Sequence, residues 1–340
     1  MDVKRTDLRR AREIPRLGRA SSETVRRIVV AAACVQFFVA SAGAIGQDAE
    51  ALRQLDTCKS ASRMVNDAHG VSAATTSRAY ERMALAACGK AIELFGTRQE
   101  GSEAYYTRGL VYMRKSEYEL AIADLTKAIE FAPTEDWQAY WWRAYARNMK
   151  ASFSAGDERL KENTLALADA DRAIALNPME PMLYHNRASM RGAGEETLAS
   201  ADRAMGACVD AITLGHDLLP RKGWKATTPP GDPADGALSK AILPCKHAVD
   251  LNSTDWVAMY LRGWGYVGQR EYGLAATDFS KAIELSPEKW RAHAYKARGL
   301  AKEGNGEIEA AISDFRKSLQ LRPHDDSAKA ALDRTAGVRK

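Results

Sequence analysis

One stretch of this chain is written twice, 154 residues apart. Ala104-Tyr-Tyr-Thr-Arg-Gly-Leu-Val-Tyr112 aligns with Ala258-Met-Tyr-Leu-Arg-Gly-Trp-Gly-Tyr266, and Tyr118 through Pro133 aligns with Tyr272 through Pro287. A third copy lies 36 residues further on, carrying Ala294-Tyr295, Arg298-Gly299, Ala311, Asp314-Phe315 and Pro323. Two degenerate copies lie between: Ala139 to Ala144 with Asp169 to Ile174, and Leu183 to Ala188 with Cys208 to Ile212. Within the second half of the first copy, Tyr118, Ala121, Ile122, Leu125, Ala128 and Ile129 recur at helical spacing, and Pro133 ends the pattern. Each copy therefore predicts two amphipathic helices. A single hairpin cannot bury that stripe alone, so neighbouring hairpins must stack. Gly109 and Ala121, both small, let the paired helices approach closely.

The small residue in the first helix, the aromatic at its end, the alanine of the second helix and the closing proline resemble the tetratricopeptide repeat. The match is good in 102–135, 256–289 and 292–325, and poor in 137–180 and 181–214, where a segment around Phe153 to Glu162 is expected to lengthen the hairpin turn. The resemblance implies an all-α fold, a tetratricopeptide-type α-solenoid of stacked helical hairpins in two sub-arrays. The organisation expected is a leader at 1–46, diverged N-terminal capping helices at 47–101, a first sub-array at 102–214, a Pro/Gly-rich excursion at 215–237, a second sub-array at 238–325 and a tail at 326–340. Pro220, Pro229, Pro230 and Pro233 set the excursion, and a further helix is expected around Leu238 to Leu251.

The leader explains the charge. Residues 1–46 hold nine Lys/Arg and four acids, which accounts for the whole net charge of +5, so the body has no basic tract to neutralise a row of phosphates. No nucleic-acid partner is expected. Arg26-Arg27, the apolar run from Ile28 and small residues at Ala42, Ala44 and Gly46 form a signal peptide pattern. It predicts export to a bacterial periplasm or beyond, with cleavage after Gly46 or Ala44. An uncleaved leader would instead make an inner-membrane-anchored assembly factor for an envelope complex, and membrane contact is expected only by that route.

Chemistry-bearing motifs are few. Gly263-Trp-Gly-Tyr-Val-Gly268 satisfies a dinucleotide fingerprint, but it sits inside a repeat's first helix with no strand before it. The six His form no ligand spacing, and there is no nucleophile elbow, phosphate loop or CxxC. No metal, cofactor or catalytic residue is expected; an enzyme would need an unrecognised site in 137–250. Arg108, Arg262 and Arg298 are each followed sixteen residues later by Asp124, Asp278 and Asp314, and Arg143 pairs with Asp169 once a ten-residue insertion is removed. Recurrence in every hairpin points to a structural salt bridge, worth about 0–1 kcal/mol if exposed.

Setting aside Cys34 in the leader, four cysteines remain, and Cys88, Cys208 and Cys245 occupy the repeat slot that holds Leu125, Phe279 and Phe315 elsewhere. Four cysteines allow three pairings. Bonds between chain neighbours are predicted, Cys58 with Cys88 across the N-terminal hairpin and Cys208 with Cys245 across the excursion. Finally, the resemblance implies a protein or peptide partner on a concave face lined by the first helices. Repeat alignment places Tyr106, Leu110, Trp141, Tyr145, Asn148, His185, Asn186, Tyr260, Trp264 and Lys296 there, about half of them packing between helices. Their aromatic and apolar character favours an apolar or aromatic segment over a charged tail. The function expected is a non-catalytic interaction scaffold.

Overall fold

A computed structural model describes residues 46–65, 73–96, 98–132, 136–218 and 233–337. The leader with Cys34, and Pro133, Pro220, Pro229 and Pro230, lie outside the described residues. The described chain is helical, with α1 (46–65), α2 (Ala73–Phe95), α3 (Ser102–Arg114), α4 (Tyr118–Phe131), α5 (Trp137–Phe153), α6 (Gly156–Leu176), α7 (Pro181–Met190) and α8 (Glu196–Leu218). There follow α9 (Pro233–Lys240), α10 (Ile242–Leu251), α11 (Trp256–Gly268), α12 (Tyr272–Leu285), α13 (Glu288–Gly304), α14 (Ile308–Leu321) and α15 (Asp326–Gly337). No strand occurs among the described residues. Successive helices pack as antiparallel hairpins that stack along the array, so the core is a line of small clusters rather than one centre.

The regular hairpins turn by one device. Ser116, Arg270 and Gly306 each adopt a left-handed conformation (φ 58°, 62° and 81°) just past α3, α11 and α13. The next amide then reaches back along the helix: Glu117 N–H donates to the Tyr112 carbonyl at 3.0 Å, Glu271 to Tyr266 at 2.9 Å and Glu307 to Lys302 at 2.8 Å. These bonds satisfy carbonyls that the helix end would leave open. The first helix then meets the second through glycine. A Cβ added at Gly263 would stand 2.7 Å from the Phe279 ring, and one at Gly299 would stand 2.6 Å from Phe315. The glycines of the rejected nucleotide fingerprint are thus packing residues, Gly265 being pressed against Ile242 in the same way.

Each hairpin is also pinned by charge. Arg108 grips Asp124 with two bonds of 2.7 Å, Arg143 grips Asp169, Arg262 grips Asp278 at 2.7 and 2.8 Å, and Arg298 grips Asp314 at 2.8 and 2.7 Å. A fifth pair, Arg187 with Asp202, was not expected; its partners are fifteen residues apart, one short of the regular spacing. The five aspartates keep only 3–8% of their side-chain surface exposed. That corrects the exposed-pair value, because a buried carboxylate that loses its partner is left uncompensated at a cost of about 3–5 kcal/mol.

Two local expectations are corrected. The extra residues of the second unit do not lengthen a turn. They extend both helices, α5 to 17 residues and α6 to 21, and leave only Ser154 and Ala155 between them. The helix expected around Leu238 to Leu251 is two, α9 and α10, parted at Ala241. Pro244 explains the break: it donates no N–H to the Lys240 carbonyl and its ring crowds that carbonyl. Pro233 opens α9, and α8 continues past Gly215 to Leu218. One buried cluster runs from Tyr184 on α7 through α8, α9 and α10 to Phe279 and Ala301, so apolar packing is continuous from one side of residues 219–232 to the other.

Replacing Asp278 by Ala should lower unfolding free energy by about 3–5 kcal/mol. Lys281→Ala, which removes an exposed partner of Glu284, should cost under about 0.5 kcal/mol; urea titration of both compares them. Acid should act in two steps. Burial, with Arg322 and Lys296 beside it, lowers His293 to about 4, so its contribution is complete above the free imidazole value and is lost as pH falls from about 6.5 to 4. The Asp314 carboxyl is disfavoured by burial but bonded by Arg298 and Lys302, and its net position is below the ordinary range. Its contribution is present above about pH 4 and is lost below that. His293→Gln should flatten the first step and leave the second.

Candidate functional site

The first helices α3, α5, α7, α11 and α13 carry the residues assigned to the concave face, and they divide sharply by burial. Tyr106 and Leu110 on α3, Tyr145 and Asn148 on α5 and Asn186 on α7 are part-exposed, and His185 is exposed. Trp141 and Trp264 are not open at all. Trp141 retains 8% of its surface and packs with Ala173 and Leu183, and Trp264 retains 7% within the large central cluster. Their assignment to the groove is corrected: each indole is packed into the apolar contact between successive hairpins instead of facing solvent. Tyr260 is part-buried, with its ring 5.6 Å from Phe279 and 6.4 Å from Trp264. Lys296 is engaged, its ammonium 3.0 Å from Asp325 and 2.7 Å from Ser327 at the start of α15. Burial opposes the Asp325 charge, but these bonds and the Ala328 N–H outweigh it and hold the carboxyl well below its usual range.

Part-exposed aromatics gather around the buried Trp141. On α5 the Trp141 and Trp142 rings lie 4.2 Å apart edge to face, and Tyr145 stands 6.0 Å from one and 6.1 Å from the other. Burial pushes the Tyr106 phenol up to about 12, Asp136 adds to this, and a hydrogen bond with Trp142 opposes it. Asp136 is held where it is by capping α5, accepting from the Gln138 amide at 3.0 Å. His185 lies flat over Gly206, where an added Cβ would stand 2.5 Å from the ring, and its Nε2 is 3.1 Å from Asp210 Oδ2. Among the described residues no group of His, Cys, Asp and Glu is arranged to hold a metal ion, and no helix is long and apolar enough to cross a membrane.

The disulfide candidates are bonded as two pairs. Cys58 joins Cys88 with Cα atoms 5.0 Å apart, and Cys208 joins Cys245 at 4.7 Å. All four are fully buried.

Models of the tetratricopeptide repeat family match residues 102–135 and 292–325. The chain is a tetratricopeptide repeat protein. It is 31% identical over 72 residues to the tetratricopeptide repeat and J domain-containing co-chaperone DNJ1 of Cryptococcus neoformans, a stretch that is 21% of this chain and 14% of that relative. Among solved structures it is similar to the second such domain of human RPAP3 in complex with an HSP70 peptide, with 19% identity over 39% of this chain and 98% of that one, TM-score 0.30. It is also similar to a tetratricopeptide repeat protein of Parabacteroides merdae, with 16% identity over 82% of this chain and 99% of that one, TM-score 0.33.

In this tetratricopeptide repeat protein α3, α5 and α11 all carry part-exposed aromatics, with Trp141 on α5 and Trp264 on α11 buried. Reading by repeat alignment missed three contacts: Arg187 with Asp202, His185 with Asp210, and Lys296 with Asp325. The first had a signal, an Arg on α7 with an Asp one residue short of the regular spacing. The other two join side chains of neighbouring helices that share no repeat position, and nothing in the sequence marks them. Absorbance titration should place the Tyr106 phenol near 12; Asp136→Asn should move it down, and a free-phenol value near 10 in the native chain would contradict the geometry.

Proposed function

We propose that this protein is a non-catalytic interaction scaffold of the bacterial periplasm, which holds an apolar or aromatic segment of a partner protein against α3, α5 and α7. Tetratricopeptide repeats are in general interaction modules without chemistry of their own, and two family models match this chain. One observation carries the finer reading. Tyr106, Leu110, Tyr145, Asn148 and Asn186 stay part-exposed and His185 exposed, while Trp141 and Trp264 are packed away. A neutral face of this kind rewards apolar contact and hydrogen bonding rather than a charged tail. The periplasmic part of the reading rests on the leader and on four cysteines bonded in pairs, which suits an oxidising compartment. In the range 137–250 named for an alternative enzymatic site, Arg143 with Asp169 and Arg187 with Asp202 are bonded to one another as structural pairs.

A photocrosslinking residue placed at Tyr145 or Asn186 in exported protein should give discrete adducts with one partner. The same residue at Lys281, on the second helix of a later hairpin, should give none. Adducts of equal yield from both faces would refute the groove, and recovery of the protein with its leader intact in the cytoplasm would refute the location.

A further inference from the structure

We propose that the Cys208–Cys245 disulfide is a redox-sensitive latch that holds α9 and α10 closed over α11. The argument begins with how the hairpins are fastened. In the regular units an Asp stands immediately before the slot residue and grips an Arg of the first helix, as Asp124, Asp169, Asp278 and Asp314 do. In α10 the residue before the slot is Pro244, which has no carboxylate to offer. The slot itself is Cys245, bonded to Cys208 on α8. The cross-helix fastening α10 does have is therefore covalent, one position further along and directed to α8.

What it fastens is weak by itself. The helices α9 and α10 have 8 and 10 residues, lengths at which isolated helices are marginal, and Pro244 divides them. What they cover is apolar. No residue of α11 is exposed; Leu238, Ala241, Cys245 and Ala248 share one buried cluster with Val257, Leu261, Trp264 and Val267, and Ile242 closes on Gly265. From α11 onward the array keeps its own ionic fastenings, Arg262 with Asp278 and Arg298 with Asp314. Loss of the bond should thus release α9–α10 without dissolving the hairpins after it, and uncover the face of α11 at Gly265 on which Ile242 closes.

The reductant is a protein dithiol. Its thiolate attacks one sulfur of the pair, a mixed disulfide forms, and its second thiol resolves it; two electrons and two protons pass to Cys208 and Cys245, and the donor leaves as a disulfide. Both sulfurs are buried, so attack follows a local opening of α9–α10 of the kind that short, proline-split helices allow. This inference concerns α9 to α11 and does not depend on the groove at α3, α5 and α7.

Hydrogen exchange on the full oxidised chain, before and after incubation with dithiothreitol, tests it. Reduction should speed exchange in 233–251 and 256–268 by about tenfold or more, while 308–321 keeps its protection, and reoxidation should reverse the change. Cys208→Ser with Cys245→Ser should show the fast pattern without reductant, and Cys58→Ser with Cys88→Ser should leave 233–268 slow until reductant is added. Unchanged exchange on complete reduction of the wild-type chain would overturn the latch. So would loss of protection in all helices together, which would make the bond a support of the whole array. The wild-type arm needs no substitution, so it decides between these outcomes even where a variant fails to fold.

Discussion

A carboxylate sealed between two helices has to be paired, and this array depends on that requirement. Five aspartates lie almost wholly out of solvent at the centre of five hairpins, each gripped at two oxygens by a guanidinium from the facing helix. A bidentate fork fixes angle as well as distance, so each pair sets how its two helices lie, and apolar packing then fills around it. The guanidinium does more than close its own unit. Arg143 also donates to Thr126, Arg187 to Asp171 and Arg298 to Ser280, each acceptor standing two residues past the aspartate of the preceding unit. One side chain thereby joins a hairpin internally and to its neighbour. Tyrosines three residues before the arginine lie under the same charge, as Tyr105, Tyr140, Tyr184 and Tyr295 do.

The requirement also explains where covalent bonds appear. Ala87 precedes Cys88 and Pro244 precedes Cys245, so neither slot has the aspartate, and a disulfide crosses to the neighbouring helix at both. The surroundings of Cys58 and Cys88 are small, Ala87 being the companion in their cluster, with no ring to plug the gap that Phe279 and Phe315 fill elsewhere. Two units with neither ion pair nor plug are held instead by cross-links closing loops of 30 and 37 residues, for which chain entropy alone predicts about 3–4 kcal/mol each.

These features were legible to different depths. The sixteen-residue spacing of Arg and Asp, and its lengthening to 26 by the insertion, survive in the sequence because helices of equal length face each other in fixed register. That fixed register failed in α7 and α8, where repeat alignment puts Ala207 at the aspartate position and Arg187 finds Asp202 instead. Extra residues in α5 and α6 look like a loop in a sequence, since Ser154 and Gly156 suggest one. Residues added to both of two antiparallel helices lengthen the hairpin as a longer turn would, and bury more. The aromatic positions were the least legible. A tryptophan on the inner side of a first helix faces solvent or the next hairpin according to how closely that hairpin approaches, and this is decided by residues distant in the chain.

The burial of α11 then limits what the scaffold can present. That helix shares one buried cluster with α8, α9 and α10, and the groove proposed above lies on α3, α5 and α7. Neighbouring packed helices stand about 8–10 Å apart, and an extended chain advances about 3.3 Å per residue. A segment crossing three such helices therefore spans roughly 20–30 Å, or about six to nine residues. Affinity over so short a stretch has to come from a few well-buried anchors rather than from length. Tyr106, Trp142 and Tyr145 are the groups there with enough apolar area to supply them, and their rings are already ordered by contact with Trp141 and with one another, so little freedom remains to be lost when a partner binds.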